Sequence, residues 1–137
     1  MPYFGQEIFI GSEKKGPLTD QEYLQAIQDS HIAMQKVIDA LMDQHNLDMI
    51  VMPSKNPSSS QDLVHGDHPS GGGTSSYAAV SGYPSITVPM GYIHELSVSL
   101  SFIGRAYNEA TLIEASYAFE QAAKARHKPK FIKYLYE

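Results

Sequence analysis

The sequence predicts an α/β domain, a mixed sheet of at least three strands packed by two long helices and a short one. Three observations carry that reading. Apolar residues recur at helical spacing from Leu24 to Met42, three short apolar or alternating runs follow, and a second helical repeat begins after Asn108. At 137 residues the chain is the size of one domain and can bury a core of its own. No internal repeat divides it, so residues 1–137 are read as a single domain.

Residues 1–17 combine aromatics, glycine and a short charged run and end in Gly16-Pro17, an extended or partly helical lead-in. Thr19-Asp-Gln-Glu22 then has the form of a capping box, with Leu18 and Tyr23 at the positions of a hydrophobic staple. Leu24, Ile27, His31, Met34, Val37, Ile38, Leu41 and Met42 give one long amphipathic helix to about His45, and Asn46 suits a left-handed cap. Leu47 to Met52 is a short apolar run stopped by Pro53, which predicts a buried strand.

Residues 53–73 form a long loop rich in Ser, Pro and Gly, and a loop of that length inside a compact domain is usually functional or disordered rather than idle. Thr74 to Ser81 fits a short helix punctuated by glycines. Pro84 to Pro89 is β-branched and reads as a strand, and Ser97 to Ile103 alternates like a half-buried one. The seven or so residues between them, Gly91 included, fit a hairpin-like connection. Asn108 is a good N-cap for the last helix, with Glu109 in its first turn. Its buried face would be Leu112, Ala115, Ser116, Phe119, Ala122 and Ala123, and Pro129 would end it.

Composition narrows the function. The formal charge of −5 and pI near 5.6 argue against a nucleic-acid partner, since phosphate binding rests on clustered cations. The basic cluster Lys124, Arg126, Lys128, Lys130 and Lys133 sits where cations favour a helix C-terminus. No apolar run approaches a membrane span, and the start lacks the pattern of a signal peptide. Without cysteine there is no thiolate chemistry, and a cytoplasmic location fits.

The run Gly82-Tyr-Pro84-Ser-Ile-Thr-Val-Pro89-Met-Gly91, then Phe102-Ile-Gly104-Arg105, then a helix with Glu109 early and Phe119-Glu120 late, resembles the C-terminal end of amidase-signature enzymes. Met1-Pro-Tyr-Phe-Gly-Gln-Glu7 and His65-Gly-Asp67-His68 are similar to segments of a bacterial amidase subgroup, so the resemblance covers nearly the whole chain. It implies a C-terminal portion of the amidase-signature fold and hydrolysis of carboxylic amides, with no cofactor. It further implies a serine nucleophile, a second serine and a lysine that lie N-terminal to the matched region. Gly71-Gly-Gly-Thr-Ser-Ser76 superficially matches the nucleophile segment, but its place before Ala78-Ala-Val-Ser-Gly82 identifies it with a later loop. No catalytic residue is assigned in this chain. One departure is local: Glu95-Leu-Ser97-Val-Ser99 replaces a Gly-Leu-Pro-Val-Gly connection, which predicts a different turn or a less rigid connection.

His65, Asp67 and His68 are the residues expected to contact substrate, if the 53–73 loop lines the cleft of the parent enzyme. Two imidazoles and a carboxylate within four residues could also hold a metal, but no further ligand motif accompanies them, and no metal is expected. Gly71-Gly-Gly-Thr74 before a helix could bind an anion, though it lacks the lysine of a phosphate loop. Ser12-x-x-Lys15 reads as a surface turn. The main reading is therefore the structural and cleft-forming section of an amidase, inactive alone. The alternative is a free-standing, non-catalytic remnant acting as an oligomerising or interaction domain. A section of a larger core should expose apolar surface, so self-association is expected beside the amide substrate of the full-length parent.

Overall fold

The computed structural model describes residues 5–59, 62–66 and 71–131. The elements are α1 (Glu7–Glu13), α2 (Gln21–Ile27), a π-helical turn (Gln28–Ile32), α3 (Ala33–His45), β1 (Ile50–Pro53), α4 (Ser75–Ser81), β2 (Ser85–Ile93), β3 (Leu96–Ile103) and α5 (Glu109–Ala123). The strands form one sheet in the order β1-β3-β2. The α/β class is as expected. Where a mixed sheet was expected, both strand pairs among the described residues are antiparallel.

The helix predicted from Thr19 to His45 is continuous but broken in register. Its N-cap is Asp20, not Thr19, and the Asp20 side chain makes no capping bond. A turn closed by the Asp20 N–H on the Pro17 carbonyl at 3.0 Å takes up Thr19 and dissolves the capping box. The π turn inserts one residue's worth of rotation, roughly 100°, between the two halves. Leu24 is therefore displaced from the apolar stripe and is exposed, while Ile38 and Met42 of α3 are buried. The far end is as predicted: Asn46 is left-handed, with φ 49°.

β2 and β3 make a tighter hairpin than the sequence suggested. The connection is His94-Glu95 alone, with φ of 48° and 68°, the positive pair a two-residue hairpin requires. Gly91 lies within β2, because the register shift between Pro89 and Gly91 leaves Met90 as an extra residue. A proline is tolerated there since β2 is an edge strand and the ladder is already interrupted.

Side chains alternate across the sheet. Val88 and Phe102 face α5 and form the core with Leu112, flanked by Ile86, Leu100, Ala115 and Phe119. Phe102 and Phe119 meet edge to face, centroids 6.1 Å apart. The predicted buried face of α5 holds for Leu112 and Ser116, but Ala122 and Ala123 are exposed. The helix ends earlier than Pro129, at Lys124 in the left-handed region with φ 47°. Gly104 packs so closely that a Cβ would lie 3.2 Å from Leu112 Cδ1.

The other face carries Ser101 and Thr87, and here the two ends of the 53–73 loop are tied. Ser101 Oγ lies 2.6 Å from Ser54 Oγ and 2.9 Å from Thr87 Oγ1, and accepts from Thr74 Oγ1 at 3.1 Å. The Thr74 N–H donates to the Ser54 carbonyl at 3.0 Å, and Lys55 bridges to Gly73. Thr74 is thus the N-cap of α4 by position, but its hydroxyl serves the loop base instead of the helix.

Leu112 is 2% exposed at the centre of the main core. Leu112→Ala should lower unfolding stability by about 2–5 kcal/mol, a large share of what a small domain has. Urea denaturation reads this as a fall in the midpoint at unchanged slope.

Candidate functional site

The two motif segments, Ser81-Gly82-Tyr83-Pro84 and Gly104-Arg105, lie far apart in sequence and are brought together by a single row of polar side chains. His31, Gln35, Asp39 and Asp43 follow one another at four-residue spacing, so they form one inclined ridge on the helix. Each reaches a motif segment. His31 Nδ1 lies 2.7 Å from the Val80 carbonyl, which can only accept, so Nδ1 carries the proton. Its Nε2 then accepts from the Gln35 amide at 3.2 Å, and the same amide nitrogen donates to the Ser81 carbonyl at 2.8 Å. Two carbonyls of the last turn of α4 are in this way capped from a neighbouring helix.

Asp39 and Asp43 continue the row. The Tyr83 hydroxyl donates to Asp39 Oδ2 at 2.8 Å. Asp39 Oδ1 is buried and has no hydrogen-bond donor among the described residues. Arg105 donates to the Asp43 carboxylate and, at 3.4 Å, to the Asp39 carbonyl. The Asp43 bond holds the guanidinium further into its charged form, with the charges of Asp43 and Asp39 acting in the same direction. Burial, then the hydrogen bond to Asp39, push the Tyr83 phenol up from its ordinary value. Gly82 completes the turn with φ 70°, and a Cβ there would meet His31 Cε1 at 3.2 Å. Both requirements explain the glycine.

Beside this row is a concavity of about 310 Å³ bordered by His31, Gln35, Gly82, Tyr83, Tyr107 and Glu109. It is of mixed polarity and can hydrogen-bond a small group, but the described residues bring no activated nucleophile to it. Ser81 Oγ donates to the Tyr77 carbonyl at 2.6 Å and accepts from the Tyr83 N–H at 3.1 Å. Ser101 has three hydroxyl partners, which use its one proton and both lone pairs. Neither serine has a base among these partners.

Of the residues expected to contact substrate, His65 is exposed in the loop and paired with Asp62. The Asp62 carboxylate accepts from the Val64 and His65 N–H groups at 2.9 Å each and lies 3.0 Å from His65 Nδ1. Those bonds, the backbone one from His65 foremost, hold the Asp62 carboxyl below the usual range. Asp67 and His68 lie outside the described residues, so the structure tests neither of them. Among the described residues no group of three His, Asp or Glu converges on one point, and no helix is long and apolar enough to cross a membrane.

Comparison with known proteins fixes the context. The chain is 33% identical over 130 residues to a probable amidase of Arabidopsis thaliana, a match that spans 94% of this chain and 22% of that protein. The native peptide amidase of Stenotrophomonas maltophilia superposes with a TM-score of 0.77 and 39% identity, over 93% of this chain and 26% of that one. The chain is homologous to a section of known amidases. A glutamyl-tRNA(Gln) amidotransferase polypeptide of Moorella thermoacetica is 42% identical over 52 residues, 37% of this chain and 11% of that protein. No family model matches. The chain spans about a quarter or less of the length of these relatives.

Sequence reasoning placed His31 on the apolar face of its helix and gave Gln35, Asp39 and Asp43 no role. The signal available was their spacing of four, which also describes an ordinary solvated stripe.

Tyr83 provides a pH test. A raised phenol pKa in the folded state contributes stability that is complete below the unfolded value near 10 and is lost as pH rises through the folded value. Tyr83→Phe should cost about 1–3 kcal/mol at neutral pH, because Asp39 loses its donor. The gap between wild type and variant should then narrow above pH 10 in denaturation curves measured across pH.

Proposed function

We propose that this chain is the C-terminal section of an enzyme that hydrolyses carboxylic amides. In this reading it supplies a sheet, its helical layers and a wall of the substrate cleft. The serine nucleophile, the second serine and the lysine belong to the rest of the protein. The observation that carries the reading is an asymmetry of coverage. The match to amidases takes in over nine-tenths of this chain but about a quarter or less of theirs. The hydrogen bonding of Ser81 and Ser101 supports it, since a hydroxyl without a neighbouring base is a weak nucleophile.

The 53–73 loop is the part we assign to the cleft, with His65, Asp67 and His68 as its polar contacts. A closed base and an exposed stretch at residues 63–66 suit that role, because binding residues belong on loops held by a rigid scaffold. An amidase is favoured over a tRNA-dependent amidotransferase because the amidotransferase match stops at 37% of the chain.

Amide hydrolysis should be measured for this chain alone and for the chain co-expressed with the Stenotrophomonas maltophilia peptide amidase lacking its matched section. No turnover alone and turnover on co-expression are expected. Turnover by the isolated chain would refute the assignment of the nucleophile elsewhere, and a co-purified complex without turnover would refute the functional reading.

A further inference from the structure

We infer that the groove between α3 and the edge of β1 left unpaired among the described residues is the seat of the remaining part of an amidase chain, which lays an extended apolar segment along β1 and a side chain into the groove. The inference rests on the functional reading above and adds the surface through which it works. The groove is lined by Met34, Val37 and Leu41 of α3, Ile50 and Met52 of β1, and Tyr77 of α4. Val37 is 63% exposed, and Leu41 and Tyr77 are 41% exposed each. Its volume of about 160 Å³ is too small for most small-molecule pockets, about 300 Å³ or more. It suits an aromatic or branched side chain, since a cavity of about 150 Å³ takes up benzene.

The sheet edge beside it points the same way. Among the described residues β1 pairs with β3 on one side only, and Ile50-Val-Met-Pro53 carries no charge. An edge that must stay unpaired is normally protected by lysine, a bulge or early proline, and here only the final Pro53 interrupts it. Val51, half exposed, lies in the middle of that edge.

The occupant follows from the lengths involved. The section superposes on the Stenotrophomonas maltophilia enzyme over 93% of its own residues, while about three-quarters of that enzyme lies outside the match. A shape retained inside the longer chain has most of that chain available to cover its open face. A second copy fits less well. Across a two-fold axis the same patch faces itself, and two concave grooves offer no knob to fill either one.

The test uses the same co-expression, read by binding. The tagged chain should co-purify with the rest of the peptide amidase in equal amounts, and hydrogen exchange should show new protection at residues 34–41 and 50–52. The doubly substituted Val37→Glu, Leu41→Glu chain should lose at least tenfold of the co-purified partner. Lys36→Glu, on the same helix but outside the groove, should retain it. Circular dichroism of each variant alone verifies that it is folded. Partner retention by the groove variant, or no partner bound by the wild type, would overturn the inference. So would a wild-type homodimer that the groove substitutions dissociate and that excludes the partner. A groove-dependent complex without turnover would leave the docking surface standing and remove the functional reading.

Discussion

One ridge of one helix organises the motif-bearing part of this molecule. His31, Gln35, Asp39 and Asp43 span roughly 18 Å of helix, and along that length they hold the end of α4, the Gly82-Tyr83 turn and Arg105 beyond β3. The order of partners is fixed by chemistry. The nitrogen donors His31 and Gln35 meet the bare carbonyls at the end of α4, and the carboxylates Asp39 and Asp43 meet a phenol and a guanidinium. Exchanging any member for one of the opposite kind would set donor against donor or acceptor against acceptor. The ion pair with Asp43 is largely exposed and counts for register more than for energy. The bonds to Val80, Ser81 and Asp39 are more sheltered and carry more of the weight.

The same helix turns its apolar side toward β1 and leaves it incompletely covered. Val37, Leu41 and Val51 remain outside the core, and they are the surface that the proposed docking would cover. The Ser54-Thr74-Thr87-Ser101 knot serves a parallel purpose further along the same face of the sheet. It closes the base of the 53–73 loop with hydroxyls that are fully occupied with one another. Both devices position backbone, and neither prepares a group to react.

Much of the fold was legible in the sequence because local signals agreed with the final packing. Asn46 and Gly82 end their helices as left-handed caps, and the alternation of Ser97 to Ile103 separates core from polar face as predicted. The failures have physical causes. A 3.6-residue period cannot reveal a π turn, so Leu24 was assigned to a stripe from which the extra rotation removes it. A bulge adds one residue without changing composition, so the hairpin appeared longer than its two-residue turn. Asn108 is the N-cap of α5 by position, as predicted, but its side chain makes no capping bond and instead donates to the Asp48 carbonyl at 3.0 Å. At the site, family-like glycines marked where the backbone turns. What holds those turns was hidden, because Gln35, Asp39 and Asp43 are residues any solvated helix face could carry.

The central claim is that the chemistry lies outside this chain, and a covalent probe tests it more directly than turnover does. A fluorophosphonate that modifies activated serines should leave the intact mass of the isolated chain unchanged. In the co-expressed complex it should add one label, on the partner polypeptide. A stoichiometric adduct on any serine of this chain, with Ser54, Ser81 or Ser101 the first to inspect, would contradict the account.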